Sequence, residues 1–160
     1  MIVAGGSHGD ILPFIALGSE FQRKGHEVRL YTSAYFAALA EEAGLPFRGV
    51  GTPEEYLEVL QHPDLNHPVR SLKFIADLVD GSGGSGTFEA MSADIVPGET
   101  IIVNSALAFV ARSVAEAHGI PVATVYLQPI SLRGSHPGAP RLLRSCSRYL
   151  IDKLLLDPTI

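Results

Sequence analysis

Residues 5–13 read GGSHGDILP, Gly5 to Pro13, and the reading of this stretch decides the fold. A short apolar run, Met1 to Ala4, leads into it. Behind it, Ile11, Phe14, Ile15, Gly18 and Phe21 fall near i, i+3, i+4 and i+7 spacing, the mark of a helix with one buried face. The whole therefore reads as strand, glycine-rich turn, helix start. Gly5, Gly6 and Gly9 permit a tight turn and a close approach of backbone to ligand. Asp10 is expected at the N-cap. Pro13 is expected in the first turn, where its missing N–H costs nothing. The free N–H groups of such a helix start attract anions.

Two familiar phosphate-binding motifs are excluded. The G-x-G-x-x-G spacing of dinucleotide-binding turns is absent, and no G-K-[ST] follows as in a P-loop. The distinctive element is Gly9-Asp10-Ile11-Leu12-Pro13, a G-D-x-x-P.

Outward from this loop the chain alternates. Glu27 to Thr32 is rich in Val, Leu and Tyr, as a buried parallel strand is. Tyr35 to Ala43 reads as a helix closed by Gly44, and Pro46 to Val50 as a third strand. Thr52-Pro53-Glu54-Glu55 opens another helix with a cap, a proline at its first position and early acids. Gln61 to Pro68 is a polar loop, and Val69, Leu72, Ile75, Ala76 and Val79 mark a further helix. Thr87 to Ala93 is a short helix, Thr100 to Val103 a strand, and Ser105 to His118 a helix. Val122 to Leu127 is a fifth strand, Gln128 to Pro140 a loop, and Arg141 to Leu156 a last helix. Alternating strands and helices imply a parallel sheet with crossover helices, so the expected fold is a Rossmann-like, doubly wound α/β domain spanning 1–160. Residues 81–86 read GSGGSG, the composition of a flexible linker. We expect an engineered linker there, in place of a deleted segment.

A chain of 160 residues suits one domain with a sizeable core. The apolar share of 46% and mean hydropathy of +0.22 suit a buried-sheet domain and are high for one that stands alone. The net charge of −5 gives no support to nucleic-acid binding. A single cysteine, Cys146, allows no internal disulfide and reads as an inert thiol. No run reaches the roughly 20 apolar residues of a membrane span, and no leader is expected before the first strand. A cytoplasmic location is expected. The six histidines show no metal-ligand spacing, so no metal site is expected.

Three blocks carry a resemblance: GGSHGDILPFIALGSEFQRKGHEVRLYTS, TIIVNSALAFVARSVAEAHGIPVATVYLQP and RYLIDKLLLDP. Together they resemble the N-terminal half of GT-B glycosyltransferases, in the branch acting on sterols, glycolipids and glycopeptide antibiotics. That resemblance implies the acceptor-binding half of an inverting, metal-independent hexosyltransferase. The acceptor would be a hydrophobic alcohol: a sterol, a lipid or a natural-product aglycone. The nucleotide-sugar donor, a UDP-sugar in expectation, would bind mainly to a C-terminal half that this chain lacks, so turnover by this chain alone is not expected. Surface normally covered by that half would favour self-association, as a homodimer or an aggregation-prone monomer. The competing readings are a non-catalytic module, stand-alone or engineered, and a nucleotide-binding domain.

By the same resemblance Asp10 falls at the catalytic base. The alternative is a pure cap; capping favours the charged carboxylate and makes a weaker base. His8 is two residues away, and an imidazole titrates closer to neutral pH. Ser7 and Gly9 would line the loop. Asn104 and Ser105 follow the fourth strand, and Gln128 follows the fifth. Ligands of open α/β sheets bind beyond the carboxyl ends of strands, so these are candidate acceptor contacts, with helix capping as the alternative for Asn104 and Ser105. His136 lies in the long loop and is a further candidate contact. Arg141, Arg144 and Arg148 share a helical face, read as solvated, with peripheral membrane contact as the alternative.

Overall fold

The computed structural model describes residues 1–67, 70, 71, 73, 74 and 84–127. Five strands form one sheet: β1 (Ile2–Val3), β2 (Leu30–Ser33), β3 (Phe47–Val50), β4 (Ile102–Ser105) and β5 (Val122–Val125). Every pairing is parallel. The order is β3-β2-β1-β4-β5, so the direction of winding reverses between β1 and β4. Helices α1 (His8–Arg23), α2 (Ala37–Glu42), α3 (Pro53–Gln61), α4 (Gly84–Ala93) and α5 (Phe109–His118) accompany the sheet, with short 3₁₀ turns at Ala34–Phe36 and Pro63–Asn66. This is the Rossmann-like α/β arrangement that the alternation predicts.

The central strands are covered on both faces: neighbouring residues on a strand point opposite ways, and each set meets its own layer of helices. Ile2, Ala4 and Leu30 pack with Ile11, Phe14 and Ile15 of α1 and with Phe36, Ala40 and Leu45. Val3, Tyr31 and Ile102 face the other way, onto Met91 of α4 and Ala111, Val114 and Ala115 of α5. A Cβ on Gly18 would sit 3.1 Å from Leu45 Cδ1 and 3.2 Å from Ile2 Cδ1, so the missing side chain lets α1 lie close on the sheet.

Several boundaries differ from expectation; β2 starts at Leu30 rather than Glu27, and β5 ends at Val125 rather than Leu127. α1 begins at His8 rather than after Asp10, because Ser7 takes the N-cap. Asp10 is therefore the third residue of the helix, and Pro13 stands inside it rather than in its first turn. Lacking an N–H, Pro13 gives nothing to the Gly9 carbonyl one turn back. β4 runs on through Ser105, so α5 starts four residues later than expected, with Ala108 as its N-cap. Neither Asn104 nor Ser105 caps it. Gly84–Gly86 of the Gly/Ser stretch form the first turn of α4, whereas the sequence places the helix start at Thr87. The helix expected from Val69 is described only at Arg70, Ser71, Lys73 and Phe74, which are helical. The expected loop and helix from Gln128 to Leu156 lie outside the described residues. So do Gln128, His136, Arg141, Arg144, Cys146 and Arg148.

Candidate functional site at the sheet's switch point

The loop from Gly5 to Asp10 leaves the carboxyl end of β1 at the point where the winding reverses, the place where open α/β sheets form a crevice. Its neighbour across the crevice is the end of β4. The Gly5 N–H donates to Ser105 Oγ at 3.1 Å, tying the two loops together. Ser105 is buried, at 5% exposure.

Asp10 is held by a reciprocal cap. Its Oδ2 accepts from the Ser7 N–H and from the Ser7 hydroxyl, both at 2.9 Å. The Asp10 N–H in turn donates to the Ser7 carbonyl at 2.9 Å. Such an arrangement satisfies donors that a helix start leaves open. It engages one carboxylate oxygen only. Asp10 Oδ1 has no hydrogen-bond partner among the described residues. Gly6 makes room for this: its φ is +125°, and a Cβ there would meet Asp10 Oδ2 at 2.5 Å. Ser7, His8 and Gly9 are exposed, and Asp10 is half-buried.

His8 faces a group of rings that the sequence reading did not foresee. Its imidazole meets Phe36 edge-on at 4.9 Å and Tyr35 at 5.6 Å. Tyr35 stacks on Tyr56 of α3 at 4.6 Å, and Phe36 meets Tyr56 at 5.1 Å. Loops after β1, β2 and β3 thus converge on one aromatic group beside Asp10. Burial, with the neighbouring Tyr35 and the Asp10 charge, pushes the Tyr56 phenol above its ordinary value. Its buried hydroxyl has no hydrogen-bond partner among the described residues. The signal in the sequence is Tyr35-Phe36 just past β2 and Tyr56 just past β3; what it lacks is any spacing that says they meet.

Asn104 behaves differently from Asp10. It is fully buried. Its Oδ1 accepts from Thr124 Oγ1 at 2.9 Å, and its Nδ2 donates to the Ser105 carbonyl at 2.9 Å and the Ala108 carbonyl at 3.4 Å. Both ends of the amide are engaged in holding β4, β5 and the turn before α5. Among the described residues no cluster of His, Cys, Asp or Glu could hold a metal ion. Among them too, no helix is long and apolar enough to cross a membrane.

Parallel winding, a switch point between β1 and β4, and a glycine-rich loop at that point define a Rossmann-like, doubly wound α/β domain. Solved structures agree on the fold. A Streptomyces sp. SF2575 glycosyltransferase, SsfS6, superposes with a TM-score of 0.62 at 20% identity over 96% of this chain and 44% of that one. The calicheamicin glycosyltransferase CalG4 gives 0.59 at 17% identity over 98% of this chain and 43% of that one. The chain belongs to the family of glycosyltransferase family 28 N-terminal domains, whose pattern it matches over residues 1–132. It is 30% identical over 136 residues to a sterol 3-beta-glucosyltransferase of Yarrowia lipolytica, covering 84% of this chain and 9% of that protein. It is 29% identical over 140 residues to an uncharacterized glycosyltransferase of Mycobacterium tuberculosis, covering 84% of this chain and 33% of that protein. The chain thus spans a third or less of the length of these relatives.

Proposed function

We propose that this chain is the acceptor-binding half of an inverting glycosyltransferase that moves a hexose from a nucleotide-sugar to a hydrophobic alcohol. The sterol glucosyltransferase relative and the antibiotic-type structural neighbours motivate the acceptor class: a sterol, a lipid or a natural-product aglycone. The observation that carries the reading is the state of Asp10. One oxygen is fixed by Ser7, the other has no partner among the described residues, and both stand at the switch-point crevice. An inverting transfer needs a base that takes the acceptor hydroxyl proton as the sugar arrives. In this reading Oδ2 orients the carboxylate and Oδ1 takes the proton. His8, packed on Tyr35 and Phe36, lines the acceptor's approach and is the second choice of base. Ser7 and Gly9 shape the loop, and Ser105 closes its far side. Gln128 and His136 are proposed as further acceptor contacts. Asn104 is assigned to the scaffold, since its amide is already engaged.

The donor is proposed to bind to a second, C-terminal half. Transfer requires acceptor oxygen, sugar C1 and leaving diphosphate in line, with preorganised donors where charge develops. Calorimetric titration of the 160-residue chain with apolar alcohols and with nucleotide-sugars tests the division of labour. The expected result is binding of an apolar alcohol, weak binding of every nucleotide-sugar, and no sugar transfer. Tight nucleotide-sugar binding, or transfer by the purified chain free of any partner, contradicts it.

A further inference from the structure

Among the described residues two buried side-chain atoms lack a hydrogen-bond partner, Thr32 Oγ1 and the Tyr56 hydroxyl. Thr32 is sealed inside β2 at 1% exposure, whereas Tyr56 is half-buried in the ring group beside Asp10. We propose that Tyr56 selects the acceptor: its ring supports the apolar part, and its hydroxyl donates to a second oxygen of the acceptor, besides the one that receives the sugar. This rests on the acceptor reading above and narrows its substrate class. A ring system with two or more oxygens fits; a sterol whose single hydroxyl is used at Asp10 does not.

Tyr56 reaches the crevice by local means. The Thr52–Glu55 capping box starts α3, and Tyr56 follows in its first turn. No residue of α3 is buried. The stack of Tyr56 on Tyr35 at 4.6 Å and its contact with Phe36 at 5.1 Å tie that first turn to the body of the domain. Phe36 is buried and gives the group a fixed floor. Leu60, four residues on and on the same face of α3, is 40% exposed, so the apolar wall continues past the rings.

Rings alone hold a flat apolar molecule without fixing which of its edges meets Asp10. Pockets fix orientation with a few placed polar groups. Burial, with Tyr35 and the Asp10 charge near it, pushes the Tyr56 phenol up, so at neutral pH it is protonated and donates. A buried donor left unpaired is costly, and a ligand oxygen that pairs it relieves the cost. An acceptor without that oxygen leaves the donor unpaired and is bound less well. The hydroxyl is covered in the free chain, so the acceptor reaches it by parting the side chains around it. His8 is the exposed member of the group and has room to turn.

The test is calorimetric titration of the full chain with three probes: naphthol, the dihydroxynaphthalene isomers, and a sterol carried on cyclodextrin. The native chain should bind at least one diol roughly fivefold tighter than naphthol, the weight of one hydrogen bond. Tyr56→Phe keeps the ring and removes an unpaired hydroxyl, so its Tm should equal or exceed the native value. It should bring the diol down to the affinity of naphthol and leave naphthol binding unchanged. A role in stability alone would not move that ratio. Binding of none of the three probes contradicts the acceptor reading, and this inference falls with it. Binding of the sterol but of neither naphthol class keeps the acceptor reading and overturns the role of Tyr56. So does a diol preference that Tyr56→Phe leaves unchanged, as when a fixed water holds the hydroxyl. A fall in Tm on Tyr56→Phe also overturns it, since the hydroxyl would then already be engaged by the chain.

Discussion

Two loops meet at the switch point, and they use their polar groups in opposite ways. After β4, Asn104 is fully buried and both ends of its amide are engaged by Thr124 and two carbonyls. After β1, Asp10 is half-buried and half-engaged, with Ser7 on one oxygen and nothing described on the other. A polar residue that is saturated by its own fold serves the scaffold. One that keeps an unpaired oxygen at the crevice can serve a ligand. The type and position of the two residues looked alike in the sequence; their partners separate them.

Breaking the scaffold loop should have the largest effect on stability. Asn104→Ala removes three hydrogen bonds, those with Thr124 and with the Ser105 and Ala108 carbonyls, and leaves a cavity where a fully buried side chain stood. A loss of about 2–4 kcal/mol is expected from denaturant unfolding, with both loops disturbed because Gly5 is tied to Ser105.

A third carboxylate sharpens the contrast. Asp94 is fully engaged, and its hydrogen bonds from Tyr31 and Arg29 hold it below the usual carboxylate range. A depressed folded value means stability that is present above the unfolded value and lost as pH falls through the folded one. Asp94→Asn should therefore cost about 2 kcal/mol at neutral pH. The difference from the native chain should shrink below roughly pH 4, where the unfolded carboxylate begins to take up a proton that the folded one still refuses. Unfolding curves between pH 7 and 3 check this; a constant difference would remove Asp94 from the acid response.

A smaller effect is expected at Gly6. Alanine there meets Asp10 Oδ2 and must adopt a φ of +125°. Gly6→Ala should lose about 1–2 kcal/mol. It should also displace the Asp10 carboxylate, which chemical-shift changes at Ser7 and Asp10 would report.

Much of this is legible in the amino-acid sequence. The alternation of β-rich runs with 3.6-residue periodicity gave the parallel sheet, and the glycine loop fell at the end of β1 as expected. Local caps were only partly legible. Ser7 and Asp10 are three apart, as in a capping box, yet Asp10 was read as the cap because its type suits that position too. Thr52 and Glu55, with the same spacing, were read correctly because Pro53 marks the first helical position. The long-range contacts were not legible. Nothing local says that Tyr31 and Arg48 will share Asp94, or that Tyr35 will stack on Tyr56. Those meetings follow from strand order and register, which sequence periodicity leaves open.

The measurement closest to the central claim is turnover of Asp10→Asn in a full-length glycosyltransferase that carries this domain. Asparagine keeps an oxygen to accept from Ser7, so the loop and the unfolding midpoint should hardly change. It removes the proton acceptor, so turnover should fall by roughly 10² to 10⁴. Turnover equal to that of the native enzyme, with the fold intact, would take Asp10 out of the mechanism and leave His8 as the base to test.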